Sequence, residues 1–95
     1  MNTRELLLVA IVEMAPGHAD AGQRYEDAVL GLLDRYGGTL ERRTRSMDGT
    51  TEVHLIRFQS RDGYQAFRID PDRAAHRVRA GDAAPTTRAI EVHDI

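Results

Sequence analysis

His54 and Arg57 stand in the stretch Thr51–Ser60, which reads Thr-Glu-Val-His-Leu-Ile-Arg-Phe-Gln-Ser. An imidazole exchanges a proton near neutral pH, and a guanidinium grips a carboxylate or enolate oxygen through its planar fork. Strand side chains alternate, so the two residues look to opposite sides of the chain. A polar group on either side needs a partner. Glu13 closes an apolar run near the N-terminus. If that run lies antiparallel to Thr51–Ser60, Glu13 approaches His54, with Arg43 across a hairpin. A His–Glu pair is a general base with an orienting carboxylate. The same groups also describe a structural polar network at a sheet end, because ion-pair networks perturb proton affinities too. Arg57 either holds an anion or is tied to an acidic neighbour or an interface.

The remaining chemistry is set by absences. With no cysteine in the sequence, disulfides, thiolate catalysis and Cys-ligated zinc are excluded. All 13 basic residues are arginine, which removes Schiff-base chemistry. The four histidines lack HxxxH or HxH spacing, so no metal is expected. No phosphate-cradling or dinucleotide glycine motif occurs, and no cofactor is expected. A net charge of −2 argues against nucleic acid or an anionic membrane as a partner.

The elements that position these residues follow from periodicity. Leu6–Val12 is apolar throughout, as in a strand buried on both faces. Leu6, Leu8, Ala10 and Val12 share one face; Leu7, Val9, Ile11 and Glu13 share the other. Pro16-Gly17 ends it. From about His18 to Tyr36, Tyr25, Ala28, Val29, Leu32, Leu33 and Tyr36 form a helical stripe, with Asp20 as candidate N-cap and Gly37-Gly38 as the stop. Thr39–Ser46 and Thr51–Gln59 flank Asp48-Gly49, a hairpin signal. Taking Asp48 and Gly49 as the loop sets Arg45 opposite Glu52, Arg43 opposite His54, Arg42 opposite Leu55 and Leu40 opposite Arg57. Ser60 caps a second helix bearing Tyr64 and Phe67. Asp70-Pro71 ends that helix and starts another, with Ala74, Ala75 and Val78 as its buried stripe and Gly81 as its end. A last strand covers Thr86–Asp94.

The order strand, helix, strand, strand, helix, strand predicts an α+β, ferredoxin-like βαββαβ domain over residues 1–95. Its four-stranded antiparallel sheet has helices on one face and the first and third strands at the centre. The other face would expose three or four apolar side chains, forfeiting roughly 5–10 kcal/mol at about 1.5–3 kcal/mol each. That rivals the stability of a small domain, about 5–15 kcal/mol. A homodimer joined through the open sheet face is therefore expected. An RNA-recognition domain shares this topology but stacks bases on aromatics of the central strands. Leu6–Val12 has none, so RNA is disfavoured. No apolar run reaches membrane-spanning length and no leader pattern precedes the first strand, which makes the cytoplasm the default location.

With Gly37-Gly38 before a hairpin, Phe58-Gln59-Ser60 ending a strand and Asp70-Pro71 breaking a helix, most of the chain resembles the dimeric α+β barrel superfamily, and most closely domain-of-unknown-function family 1330. The superfamily includes the antibiotic-biosynthesis monooxygenases and the YCII-like proteins. The resemblance implies a ligand pocket between helices and sheet, which Tyr25, Tyr36, Tyr64 and Phe67 would line; at helical spacing they also suit a filled core. Two functions stay open: binding a small apolar or aromatic molecule, or cofactor-independent monooxygenase, isomerase or cyclase chemistry on an aromatic or enolisable carbonyl compound. In the second, His54 with Glu13, or Arg57, does the proton or oxyanion work. A purely interaction-based role is a third possibility.

Overall fold

A computed structural model describes residues 4–95. Its strands are β1 (Leu6–Glu13), β2 (Gly38–Arg45), β3 (Thr51–Phe58) and β4 (Thr86–Val92). They form one antiparallel sheet in the order β2-β3-β1-β4. The helices are α1 (Ala19–Leu30), α2 (Arg61–Arg68) and α3 (Pro71–Ala80), with 3₁₀ turns at Leu33–Tyr36 and Gly81–Ala83. This is the βαββαβ ferredoxin-like arrangement, with β1 and β3 central. No helix of the described residues is long and apolar enough to cross a membrane.

The two faces of β1 separate as alternation requires. Leu6, Leu8 and Ala10 enter the core beneath the helices with Tyr25, Val29, Ile56, Phe58 and Phe67. Phe58 is wholly buried and sits 5.3 Å from the Tyr64 ring and 5.6 Å from the Phe67 ring, in tilted pairings. The helical stripe is real but interrupted: α1 stops at Leu30, and Leu32 and Leu33 reach the core from the turn that follows. Gly37, at φ 72°, ends that turn in the left-handed region. A Cβ on Gly38 would press on Phe58 and Leu33. The glycine pair thus serves both a turn and a close approach.

The caps follow the sequence reading. Ser60 Oγ accepts from the Gly63 amide at 3.1 Å, and Asp70 Oδ1 accepts from the amides of Asp72 and Arg73 at 2.7 and 3.0 Å. The other Asp70 oxygen takes the Tyr36 hydroxyl and, at 3.1 Å, Arg35. One carboxylate therefore ties the end of the first helical segment to the start of α3. The α1 N-cap is His18, without a side-chain cap bond, rather than Asp20, which lies in the first turn.

Three expectations are corrected. The hairpin register holds from Arg45–Glu52 through Arg42–Leu55, but a bulge at Glu41 shifts the rest, so Arg57 faces Thr39 and Leu40 faces Ile56. The turn closes between Ser46 and Gly49, with Gly49 at φ 79° and the Asp48 carboxylate bonded to Ser46 and Thr50, a longer loop than the expected two residues. α3 buries no residue at all, and Val78 is 80% exposed. Its sheet-facing side carries Arg73 and Arg77 over a cavity instead of apolar side chains into a core.

Candidate functional site

β3 alternates, and its helix-facing side carries Glu52, His54, Ile56 and Phe58. Ile56 and Phe58 are core. Glu52 and His54 are equally buried, at 0% and 1% exposure, so each must find its partners inside the protein. Glu52 finds three side chains. Arg43 donates to it from Nε at 2.8 Å and from Nη2 at 3.1 Å, and Arg45 donates from Nε at 2.9 Å. His54 Nε2 completes the set at 2.7 Å. Burial alone would raise the Glu52 carboxyl, but the hydrogen bonds from Arg43, His54 and Arg45 prevail and hold it down to about 2. Glu52 is therefore a permanent anion at neutral pH, and His54 Nε2 is the donor toward it. In the neutral imidazole this leaves Nδ1 as an acceptor.

Nδ1 points to Glu26 of α1, whose Oε1 lies 4.0 Å away. Glu26 is 5% exposed. Its carboxyl is raised to about 7 by burial first and by the negative charge of Glu52 second, with Arg43 and Arg73 working in the opposite direction. Two carboxyls thus flank one imidazole with their proton affinities driven apart. Such a split separates an orienting anion from a group that exchanges protons near neutrality.

His54 and Glu26, both buried, border a cavity of about 680 Å³ between the sheet and the helices. Leu8, Ala10, Ile56 and Phe58 floor it; Tyr25, Tyr64 and Phe67 wall it; Ala89 stands at its β4 side. The size suits a small organic molecule, within the roughly 300–1,000 Å³ usual for ligand pockets. Tyr25, Tyr64 and Phe67 do line one cavity together, while also packing on the core.

The two charged sequence candidates lie elsewhere. Glu13 is opposite Thr51, not His54; it sits on the open face and accepts from Thr51 Oγ1 at 3.0 Å. The residue opposite His54 on β1 is Ala10. The His54–Glu13 pair is therefore not formed, because alternation and register place its members on opposite faces. Arg57 also points to the open face, bonded to Glu41 at 2.7 Å and Glu5 at 3.3 Å. Glu52 and Glu26 are the partners that the sequence reading missed. Glu52 was visible in principle, two residues before His54 on the same strand face. Glu26 lies beside Tyr25 on α1, and only the packing angle of the helix brings it over the strand.

No family model matches the chain, so the likeness to domain-of-unknown-function family 1330 stays a resemblance, and no curated protein matches either. Solved structures do. The crystal structure of SnoaB, a cofactor-independent oxygenase from Streptomyces nogalater, superposes with a TM-score of 0.76 at 15% identity, covering 96% of this chain and 93% of that one. A Nitrosomonas europaea protein provisionally named an antibiotic biosynthesis monooxygenase gives 0.77 at 12% identity, covering 100% and 94%. PA3566 from Pseudomonas aeruginosa gives 0.75 at 18%, covering 100% and 97%. The fold is thus the ferredoxin-like α+β fold of antibiotic biosynthesis monooxygenase-like proteins.

The two carboxyls give the stability a defined pH profile. Glu52, with its folded pKa lowered, contributes stability above the ordinary carboxylate value of 4.5 and loses it as pH falls toward 2. Glu26, with its folded pKa raised, does the reverse: stability falls as pH rises from 4.5 to about 7 and stays reduced above that. The Glu26 effect is on the order of 3–4 kcal/mol once pH exceeds 7. Glu26→Gln, which mimics the protonated acid, is expected to raise the urea midpoint at pH 8 and to leave it nearly unchanged at pH 5. Parallel profiles for the two proteins would show that Glu26 does not titrate this way.

Proposed function

We propose that this chain binds a small apolar or aromatic molecule in the cavity between helices and sheet. The observation that carries the reading is the cavity itself, about 680 Å³ and floored by core side chains, with the aromatic rings of Tyr25, Tyr64 and Phe67 on its walls. Apolar surface lining a concave site gives affinity, and a few placed polar groups give orientation. N-phenyl-1-naphthylamine, a neutral aromatic dye that brightens in apolar sites, is expected to bind with a micromolar-range Kd. Ala89→Trp fills the cavity from an exposed position on β4 and is expected to weaken this binding about tenfold or more. Fluorescence titration that finds no saturable binding, or equal binding by the variant, would refute the assignment.

A second reading is cofactor-independent chemistry on an enolisable carbonyl compound. It is favoured by the Glu52–His54–Glu26 arrangement, in which a buried anion holds one imidazole nitrogen, a second carboxyl lies near the other, and the histidine borders the cavity. His54 Nδ1 accepts a carbon-bound proton as the enolate forms and keeps it as imidazolium, and the protonated Glu26 carboxyl, 4.0 Å from Nδ1, is an acid that donates its own proton to the enolate oxygen. The fold likeness to SnoaB, a cofactor-independent oxygenase, agrees with chemistry of this class. Arg57, on the other face, has no part in it. His54→Gln is expected to reduce turnover of an accepted substrate by about 10²–10⁴-fold while leaving dye affinity within a few-fold. An unchanged rate in steady-state assays would remove His54 from the chemistry.

The open sheet face supports assembly with a second copy of the chain. Val9, Ile11, Leu55 and Ile90, each partly exposed, form an apolar strip there beside the buried Leu7, with Val53 40% exposed, and no helix of the described residues covers it. Arg57 with Glu41 and Glu5, and Arg42 and Arg88, border the strip. A two-fold axis through it would bury the strip against itself. Light scattering at micromolar concentration is expected to give the mass of a dimer, and Val9→Asp the mass of a folded monomer. A monomeric wild-type chain would contradict the assembly.

A further inference from the structure

We infer that the cavity selects an anionic ligand, one with a carboxylate-sized charged group at the end of an apolar or aromatic body. The inference rests on the proposed binding role and adds the charge class of the ligand. It comes from the way the arginines divide. Arg35, Arg43, Arg45, Arg57 and Arg61 each form a salt bridge with a carboxylate. Of the arginines that form none among the described residues, Arg68, Arg73 and Arg77 line the cavity, whereas Arg24, Arg42, Arg79 and Arg88 lie outside it. They come from the end of α2 and from the sheet-facing side of α3, so the helical wall of the cavity is positive.

Their existing bonds go to neutral oxygens and leave donors free. Arg73 Nη1 reaches the Arg68 carbonyl at 3.2 Å, Arg77 Nη1 the Pro85 carbonyl at 3.4 Å, and Arg68 Nη1 the Gln65 side chain at 3.3 Å. The Arg73 guanidinium is fixed over the Phe67 ring, 5.2 Å from its centre. Its Nε is the one buried side-chain polar atom without a hydrogen-bond partner among the described residues. A buried donor left unpaired costs stability, and Nε, sealed over the ring, is not itself open to the cavity. Glu26 is the only acidic residue lining the cavity. An anion on the helical wall therefore meets little opposing charge. Its apolar body lies over Leu8, Ile56 and Phe58.

The test uses two dyes that share one body. 8-Anilinonaphthalene-1-sulfonate carries a negative group that N-phenyl-1-naphthylamine lacks. The wild-type chain is expected to bind the sulfonate about tenfold or more tighter than the neutral dye, since charge-assisted hydrogen bonds and a desolvated cation discriminate at that level. Arg73→Gln and, as an exposed second variant, Arg77→Gln are expected to erase most of that preference, with neutral-dye binding held within about twofold as evidence of an intact cavity. Ala89→Trp is expected to weaken both dyes. If both dyes bind equally and the arginine variants change neither, the cavity stands and its anion selectivity is overturned. If neither dye binds, or Ala89→Trp affects neither, the binding role and the selectivity fall together.

Discussion

A single buried carboxylate, Glu52, constrains the polar end of the sheet. Moving an ion out of water costs on the order of several kcal/mol unless its lone pairs are filled. Glu52 fills them with Arg43, Arg45 and His54. The demand explains why β2 carries two arginines on its helix-facing side and why the hairpin keeps its register from Arg45 to Arg42. It also explains why the imidazole of His54 cannot rotate freely. Arg43 extends the set to α1 through Asp27, at 2.6 Å, so one anion locks the hairpin, the histidine and the first helix to one another.

The fold was legible because its signals are local and repeat. A two-residue period on β1, a helical stripe from Tyr25 to Tyr36, and the punctuation at Gly37-Gly38, Ser60 and Asp70-Pro71 each name an element without reference to the others. What was not legible depends on a third element. The bulge at Glu41 leaves no mark in the pattern, yet it turns Arg57 from Leu40 to Thr39 and hands it Glu41 as a partner. For the site, the sequence singles out His54, Tyr25, Tyr64 and Phe67, but not the carboxyls that surround the imidazole. The strand ends suggest Glu13 as the partner of His54, and only the β1–β3 register, which periodicity does not fix, puts the two on opposite faces. Glu52 was assigned to Arg45 and taken no further, whereas a carboxylate accepts several donors and belongs to both.

The sheet divides two kinds of chemistry between its faces. On the open side, charges neutralise one another at the surface: Arg57 with Glu41 and Glu5. Exposed pairs of this sort contribute little to stability, about 0–1 kcal/mol each. On the helix side Glu26, Glu52 and His54 are buried and coupled to one another at the edge of a cavity. The same residue type therefore carries different weight on the two faces. This is why Arg57, prominent in the sequence, is peripheral, and why Arg73, unremarked in a polar helix, borders the cavity.

α3 brings these points together. Its composition reads as a weak amphipathic helix, and filling the space beneath it with Val78 would have contributed about 1.5–3 kcal/mol of apolar burial. The chain instead leaves Val78 exposed and aims Arg73 and Arg77 inward. A helix held only by its packing would be marginal on those terms. The Asp70 node replaces what is lost, since one carboxylate caps α3 and anchors it to Tyr36 and Arg35 at the far end of the first helical segment. With its position fixed from one end, α3 does not need an apolar footing on the sheet, and the space beneath it can stay open.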